Sequence, residues 1–231
     1  VEIRRSYADA LMSGGRLAVA RQEFEELLKA DPEDGPTCLR LAQLDRQEGR
    51  FEEARKGLER ARALMPEGLE VAFQQVVLED LLGNQDQAIS ILEGLIRQSE
   101  RPAEQYTAGE ATNRAIFLER LGQIYRSQQK YDKALEVFRQ IPALGKEQAP
   151  RGEGLIIETL RLARQAQEAS EVAEAATTKY PEDRSLRILR ATLLGEQGRV
   201  DDAIRELRAL LKDQPSDREI YLVLAQVCSQ A

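Results

Sequence analysis

Apolar and small residues recur along this chain in paired stripes, each with the three-or-four-residue spacing that lines up side chains on one face of an α-helix. In one such pair the first stripe carries Leu41 and Leu44, and the second carries Ala54, Leu58 and Ala61. A turn with glycine separates the two stripes. Gly15, Gly49, Gly83 and Gly198 each follow a first helix, where a left-handed terminal residue costs glycine least. Pro32, Pro66, Pro181 and Pro215 follow second helices that a proline cannot continue. No segment alternates with period two for long enough to predict a strand. The pattern predicts thirteen helices in antiparallel pairs joined by short turns.

The pairs repeat. Ala20, Ala54, Ala88, Ala134, Ala169 and Ala203 are separated by 34, 34, 46, 35 and 34 residues. Four residues after each comes Phe24, Leu58, Leu92, Phe138, Ala173 or Leu207, and pairs such as Leu41-Ala42 and Leu121-Gly122 recur thirteen and twelve residues before it. A position held to alanine through such a period marks a close helix crossing, because a larger side chain would push the axes apart. One helix pair cannot bury its own apolar face, but a stack of pairs can.

The order large apolar, small, aromatic or Leu, Ala, large apolar, Pro at this spacing resembles the tetratricopeptide repeat family. Leu121, Gly122, Tyr125, Ala134 and Phe138 carry the pattern most completely. The resemblance covers the chain as about six and a half repeats: 1–34, 35–68, 69–102, 115–148, 150–183, 184–217 and a final half repeat 218–231. It implies an all-α fold, a right-handed superhelical α-solenoid of antiparallel helix pairs with a concave groove. It further implies a non-catalytic scaffold or adaptor that binds a peptide or helix of a partner protein in that groove. Some family members clamp the C-terminal carboxylate of chaperone peptides with Lys and Asn side chains. The matching positions here hold Arg5, Asp9, Arg40, Glu70 and Gln74, so the resemblance does not extend to that clamp.

In this family the groove is lined by a second stripe on the first helices, beside the core stripe. Here that stripe includes Leu39, Gln43 and Arg46, then Phe73, Val77 and Asp80, then Ile116, Gln123 and Arg126, with Arg161 following. It reads as an apolar centre of Leu39, Phe73, Val77 and Ile116 flanked by Arg46, Arg126 and Arg161. The competing reading is packing, with Phe73 filling space left by the small Ala72.

Two irregularities stand out. Residues 103–114 are added between two repeats, as a longer loop, as an N-terminal extension of the next helix, or as an element that contacts a partner. In the fifth repeat, Arg164 replaces the turn glycine and Ala173 the large apolar residue, which predicts thin packing beside Pro142 and Pro150.

Composition narrows the function. The 231 residues contain no histidine, which removes His-based triads and most zinc sites. No phosphate-binding glycine loop or calcium loop is present, and no cofactor is expected. Paired acids such as Glu52-Glu53 suit helix starts. A net charge of −7 argues against a nucleic-acid partner. No apolar run approaches the ~20 residues that cross a bilayer. Cys38 and Cys228 both fall at apolar helix positions and read as core filler.

The chain opens on Val1 rather than Met and so reads as a piece of a longer protein, which leaves the compartment open between cytoplasm and periplasm. The final segment, 219–228, is apolar on more than one face, so the array either continues in the parent chain or self-associates through its C-terminal half repeat. Two alternative functions stay open. One is the regulatory array of a larger enzyme, the other a self-assembling module of a cell-envelope or secretion complex.

Overall fold

The computed structural model describes residues 2–102, 105–213 and 215–229. Thirteen α-helices and no strand are present among them. The contacts divide the chain into two compact units, Val1–Gln98 and Ser99–Ala231.

The first unit holds α1 (Glu2–Ser13), α2 (Leu17–Ala30), α3 (Gly35–Gln47), α4 (Phe51–Leu64), α5 (Leu69–Leu81) and α6 (Gln85–Gln98). The second holds α7 (Ala108–Ser127), α8 (Tyr131–Phe138), a 3-10 turn (Ile141–Leu144), α9 (Ala149–Leu162), α10 (Ala166–Lys179), α11 (Arg184–Glu196), α12 (Val200–Asp213) and α13 (Arg218–Ser229). Within each unit, sequential helices pack on one another.

Six turns join first to second helices, and all six share one geometry. Gly15, Gly49, Gly83 and Gly198 have φ of 74, 75, 81 and 79°. The next amide donates back to the helix, as in Arg50 N to Asp45 O at 2.8 Å and Arg199 N to Leu194 O at 2.9 Å. This is the Schellman closure, which satisfies carbonyls the helix end leaves open. Gln129 and Arg164 complete the set at φ 60° without being glycine. The same backbone bonds hold them, Lys130 N to Tyr125 O and Gln165 N to Leu160 O, both at 2.9 Å. Arg164 therefore takes the left-handed turn despite its side chain.

The recurring alanines form the core seam: Ala20, Ala54, Ala88, Ala134, Ala169 and Ala203 are all 0% exposed. A second regularity is one of volume. The residues sixteen apart, Ala8 and Phe24, Ala42 and Leu58, Gly122 and Phe138, Ala191 and Leu207, combine a small side chain with a large one, and all are buried. At Ile157 and Ala173 the order is reversed, with both buried. The bulk missing at Ala173 is thus supplied from α9. Ile141 and Leu144 of the 3-10 turn are also buried, and Pro142 and Ile141 lie close against Gly152. The thin packing expected around the fifth repeat is not what the chain builds.

From Ala108 onward the inserted segment is helix. Residues 103–104 lie outside the described residues, but α7 begins at Ala108 under a capping box. Thr107 Oγ1 accepts from the Glu110 amide at 3.3 Å, and Glu110 Oε2 accepts from the Thr107 amide at 2.9 Å. The extension buries Ala111 and Arg114. Cys38 is buried as expected. Cys228 is exposed, because α13 buries only Ile220 and Val227.

Candidate interaction faces of the first helices

In the first unit, α3 and α5 present the second stripe. Leu39 does not belong to an open face: it is 3% exposed and packs in the core with Cys38, Ala42, Leu58 and Val71. The α3 helix carries apolar side chains beyond one stripe, so α4 and α5 enclose that position. Gln43 is also buried, accepting from Arg40 Nη1 at 2.9 Å and donating to Glu70 Oε1 at 3.3 Å. Arg46, Phe73, Val77 and Asp80 are half-buried.

Charged side chains tie these first helices together. Arg40 spans from Asp9 on α1, at 3.2 Å, to Glu70 on α5, at 2.6 Å. Arg5 donates to both carboxylate oxygens of Asp34, at 3.0 and 2.8 Å, and to Thr37 Oγ1 at 3.1 Å. Burial alone would raise the Asp34 pKa, but hydrogen bonds from Thr37 and Arg5 override it and hold the carboxyl below its ordinary range. Asp34 is at the same time the N-cap of α3, accepting from the Thr37 amide at 3.2 Å. Arg5 and Arg40 are thus committed to their own neighbours.

In the second unit, Ile116 is 43% exposed on α7. Gln123 donates to Glu119 Oε1 at 2.9 Å. Arg126, expected as a flanking charge for a partner, pairs with Glu158 of α9 at 3.0 Å and lies over the Phe138 ring at 5.9 Å. Arg161 is exposed but pairs with Glu196 of α11 at 2.7 Å. Arg151 and Glu119 make a further bridge at 2.6 Å. Arg126 and Arg161 are therefore struts between successive first helices. The sequence reading does not pair them with these acids: Glu158 lies six residues before its turn residue and Glu196 two, so no single repeat spacing marks the partners.

Among the described residues, no cluster of three or more His, Cys, Asp or Glu side chains could hold a metal ion. No helix among them is long and apolar enough to cross a membrane.

Helix pairs closed by identical turns and seamed by alanine define a helical-repeat protein. Tetratricopeptide repeat family models match residues 11–72 and 160–227, and 116–141. The chain belongs to the tetratricopeptide repeat family. No curated protein matches the sequence. Among solved structures it is similar to PilW, described as a widely conserved type IV pilus biogenesis factor, at 16% identity and TM-score 0.68, covering 96% of this chain and 97% of that one. A tetratricopeptide repeat protein from Parabacteroides merdae is similar at 16% identity and TM-score 0.66, with 98% and 84% covered. YrrB, described as having an unusual peptide-binding site, is similar at 15% identity and TM-score 0.53, with 88% and 97% covered. At these identities the likeness is one of fold. Proteins of this family are in general non-catalytic scaffolds for protein–protein interaction.

Proposed function

We propose that this chain is a non-catalytic adaptor, an array of about six and a half repeats that holds a peptide or helix of a partner protein on the second-stripe faces of its first helices. One observation carries the reading. On α5, Phe73 and Val77 stand one turn apart and half-buried, while Val71, Ala72, Val76 and Leu78 of the same helix are buried in the array. Helix α5 is thus apolar on more sides than its own repeats bury, which suits a surface that an apolar anchor can complete. In the other unit, taken by itself, Ile116 is exposed on the same face of α7 as Gln123.

The test is affinity capture with the wild-type chain beside Phe73→Ala and Val77→Ser. Loss of a buried anchor typically costs about 2 kcal/mol or more of binding. Partners captured by the wild type should drop by about tenfold or more with the variants, at matched melting midpoints. If Phe73→Ala instead unfolds the protein while affinity per folded molecule is unchanged, Phe73 is packing and the reading fails.

Self-association through α13 is a second reading, favoured by Leu222 and Tyr221, which are 72% and 53% exposed. Concentration-dependent sedimentation that is abolished by Leu222→Glu would support it. A monomer at every concentration would end it.

A further inference from the structure

Arg46, Arg126 and Arg161 occupy one position of the repeat. Each lies three residues before the left-handed turn residue, whose amide donates to its carbonyl: Gly49 to Arg46 at 3.1 Å, Gln129 to Arg126 at 3.0 Å and Arg164 to Arg161 at 3.1 Å. In the second unit both arginines find a carboxylate on the following first helix, Glu158 and Glu196. Glu158 lies six residues before its turn residue, Arg164. In the first unit the residue six before Gly83 is Val77.

Among the described residues Arg46 makes no ion pair, and its Nε is buried without a hydrogen-bond partner. Burial holds its pKa below the usual guanidinium value, with no carboxylate opposing the shift. A half-desolvated cation without a partner is unfavourable in the free protein. A carboxylate arriving there gains more than at an open surface, because water is already partly displaced and charge-assisted bonds strengthen accordingly.

We propose that Arg46 is the carboxylate receptor of the α3–α5 face. It takes an Asp or Glu side chain of the partner segment, and an apolar residue beside that acid rests on Val77. The inference depends on the reading that this face binds a partner, and it names the chemistry of that partner. Glu158 shows what the missing group looks like: a carboxylate from a neighbouring helix, 3.0 Å from the equivalent guanidinium.

The experiment uses an immobilised array of twelve-residue peptides, each with one Asp or Glu beside Leu, Ile, Val or Phe, next to copies with that acid changed to its amide. Wild-type chain, Arg46→Gln and Val77→Asp are applied, with folding verified by circular dichroism. Acidic peptides should bind the wild type at least tenfold more strongly than their amide copies, and Arg46→Gln should bind both copies equally weakly. Equal binding of acid and amide by the wild type, with loss on Val77→Asp, would overturn the role of Arg46 while leaving the face as a binding surface. Acid preference that survives in Arg46→Gln would place the receptor elsewhere. No retention of any peptide would overturn both readings. A melting comparison adds an independent arm: Arg46→Met should melt at or above the wild type, whereas Arg126→Met should melt below it. A large drop for Arg46→Met would show that the guanidinium is already satisfied within the fold.

Discussion

Gly122→Ala tests the volume rule of the core most sharply, because two principles predict opposite signs. Gly122 sits inside α7, where replacing glycine by alanine should stabilise a helix by about 1 kcal/mol. A Cβ built on Gly122, however, would lie 2.3, 2.5 and 2.7 Å from Cε1, Cζ and Cδ1 of Phe138. Carbon atoms settle at roughly 3.5–4.0 Å, so the ring would have to retreat by more than about 1 Å. Phe138 is 0% exposed and has no open side to retreat into. Overpacking of this kind costs about 1–3 kcal/mol, and three close contacts to one buried ring belong at the upper end. Set against the helix gain, a net loss of about 1–2 kcal/mol remains, or roughly 3–8 °C in the melting midpoint for a unit of this size. Ala8 and Phe24 coexist in another repeat, so the combination itself is allowed. What costs energy is adding a methyl to helices already settled at glycine distance. Thermal and urea melts followed by circular dichroism provide the assay, with Gly94→Ala as control. Gly94 also lies within a helix but has nothing within 4 Å of its added carbon, so that change should stabilise by up to about 1 kcal/mol. Adding Phe138→Leu to Gly122→Ala recreates the Ala–Leu combination of positions 42 and 58 and should recover at least half of the loss. A Gly122→Ala protein as stable as the wild type would refute the reasoning.

Gln129→Gly and Arg164→Gly should each raise the melting midpoint, since relief of a left-handed conformation is worth about 1 kcal/mol before the extra freedom of the unfolded glycine is subtracted; a fall in either melt would count against strain there. Ala54→Leu and Ala203→Leu should destabilise by about 1–3 kcal/mol in denaturant melts, while Glu53→Gln stays within about 0.5 kcal/mol. Asp34 titrates below its ordinary range in the folded state, so the stability it contributes is present above the unfolded pKa near ~4 and is lost as pH falls through the lower folded value. Acid melts of the wild type should therefore steepen below about pH 4, and Asp34→Asn should flatten that limb; identical limbs would show that the carboxylate is not held as described. Arg5→Met leaves this buried carboxylate one partner short and should destabilise by about 1–3 kcal/mol, read from urea midpoints at neutral pH.

The features legible in the sequence are those fixed by size or by backbone conformation at one position. A seam alanine is required wherever two helices cross closely, and a left-handed turn favours glycine, so both stand out as a period. The chain continues that period where the marker residue is missing. Gln129 and Arg164 adopt the turn because the helices on either side and the Schellman bonds over-determine it. Ala173 looked like a deficit only when read alone. Its volume is balanced by Ile157, sixteen residues away, and a pattern that scores each position separately does not see such a balance. Exposure on the second stripe was less legible for a related reason. Leu39 and Phe73 hold the same repeat position, yet Leu39 is sealed in the core and Phe73 is half-buried. The difference lies in what the neighbouring helices bring to each.

The arginines carry that point furthest. Read along the chain, Arg46, Arg126 and Arg161 are one residue type at one position, and all three appear as charges offered to a partner. Their roles diverge through the next first helix. Where it supplies Glu158 or Glu196, the guanidinium becomes an internal strut and its charge is spent on the array. Where it carries Val77 at the position that Glu158 holds, the guanidinium has no counter-ion among the described residues. A repeat protein can thus convert a structural position into a recognition position by one substitution, a carboxylate exchanged for a hydrocarbon one repeat away. The converse substitution follows directly. Val77→Glu should hand Arg46 the partner that Arg126 already has, which would stabilise the first unit and close the face to an acidic segment together. Stability gained with acid binding retained would separate the two effects and break the argument.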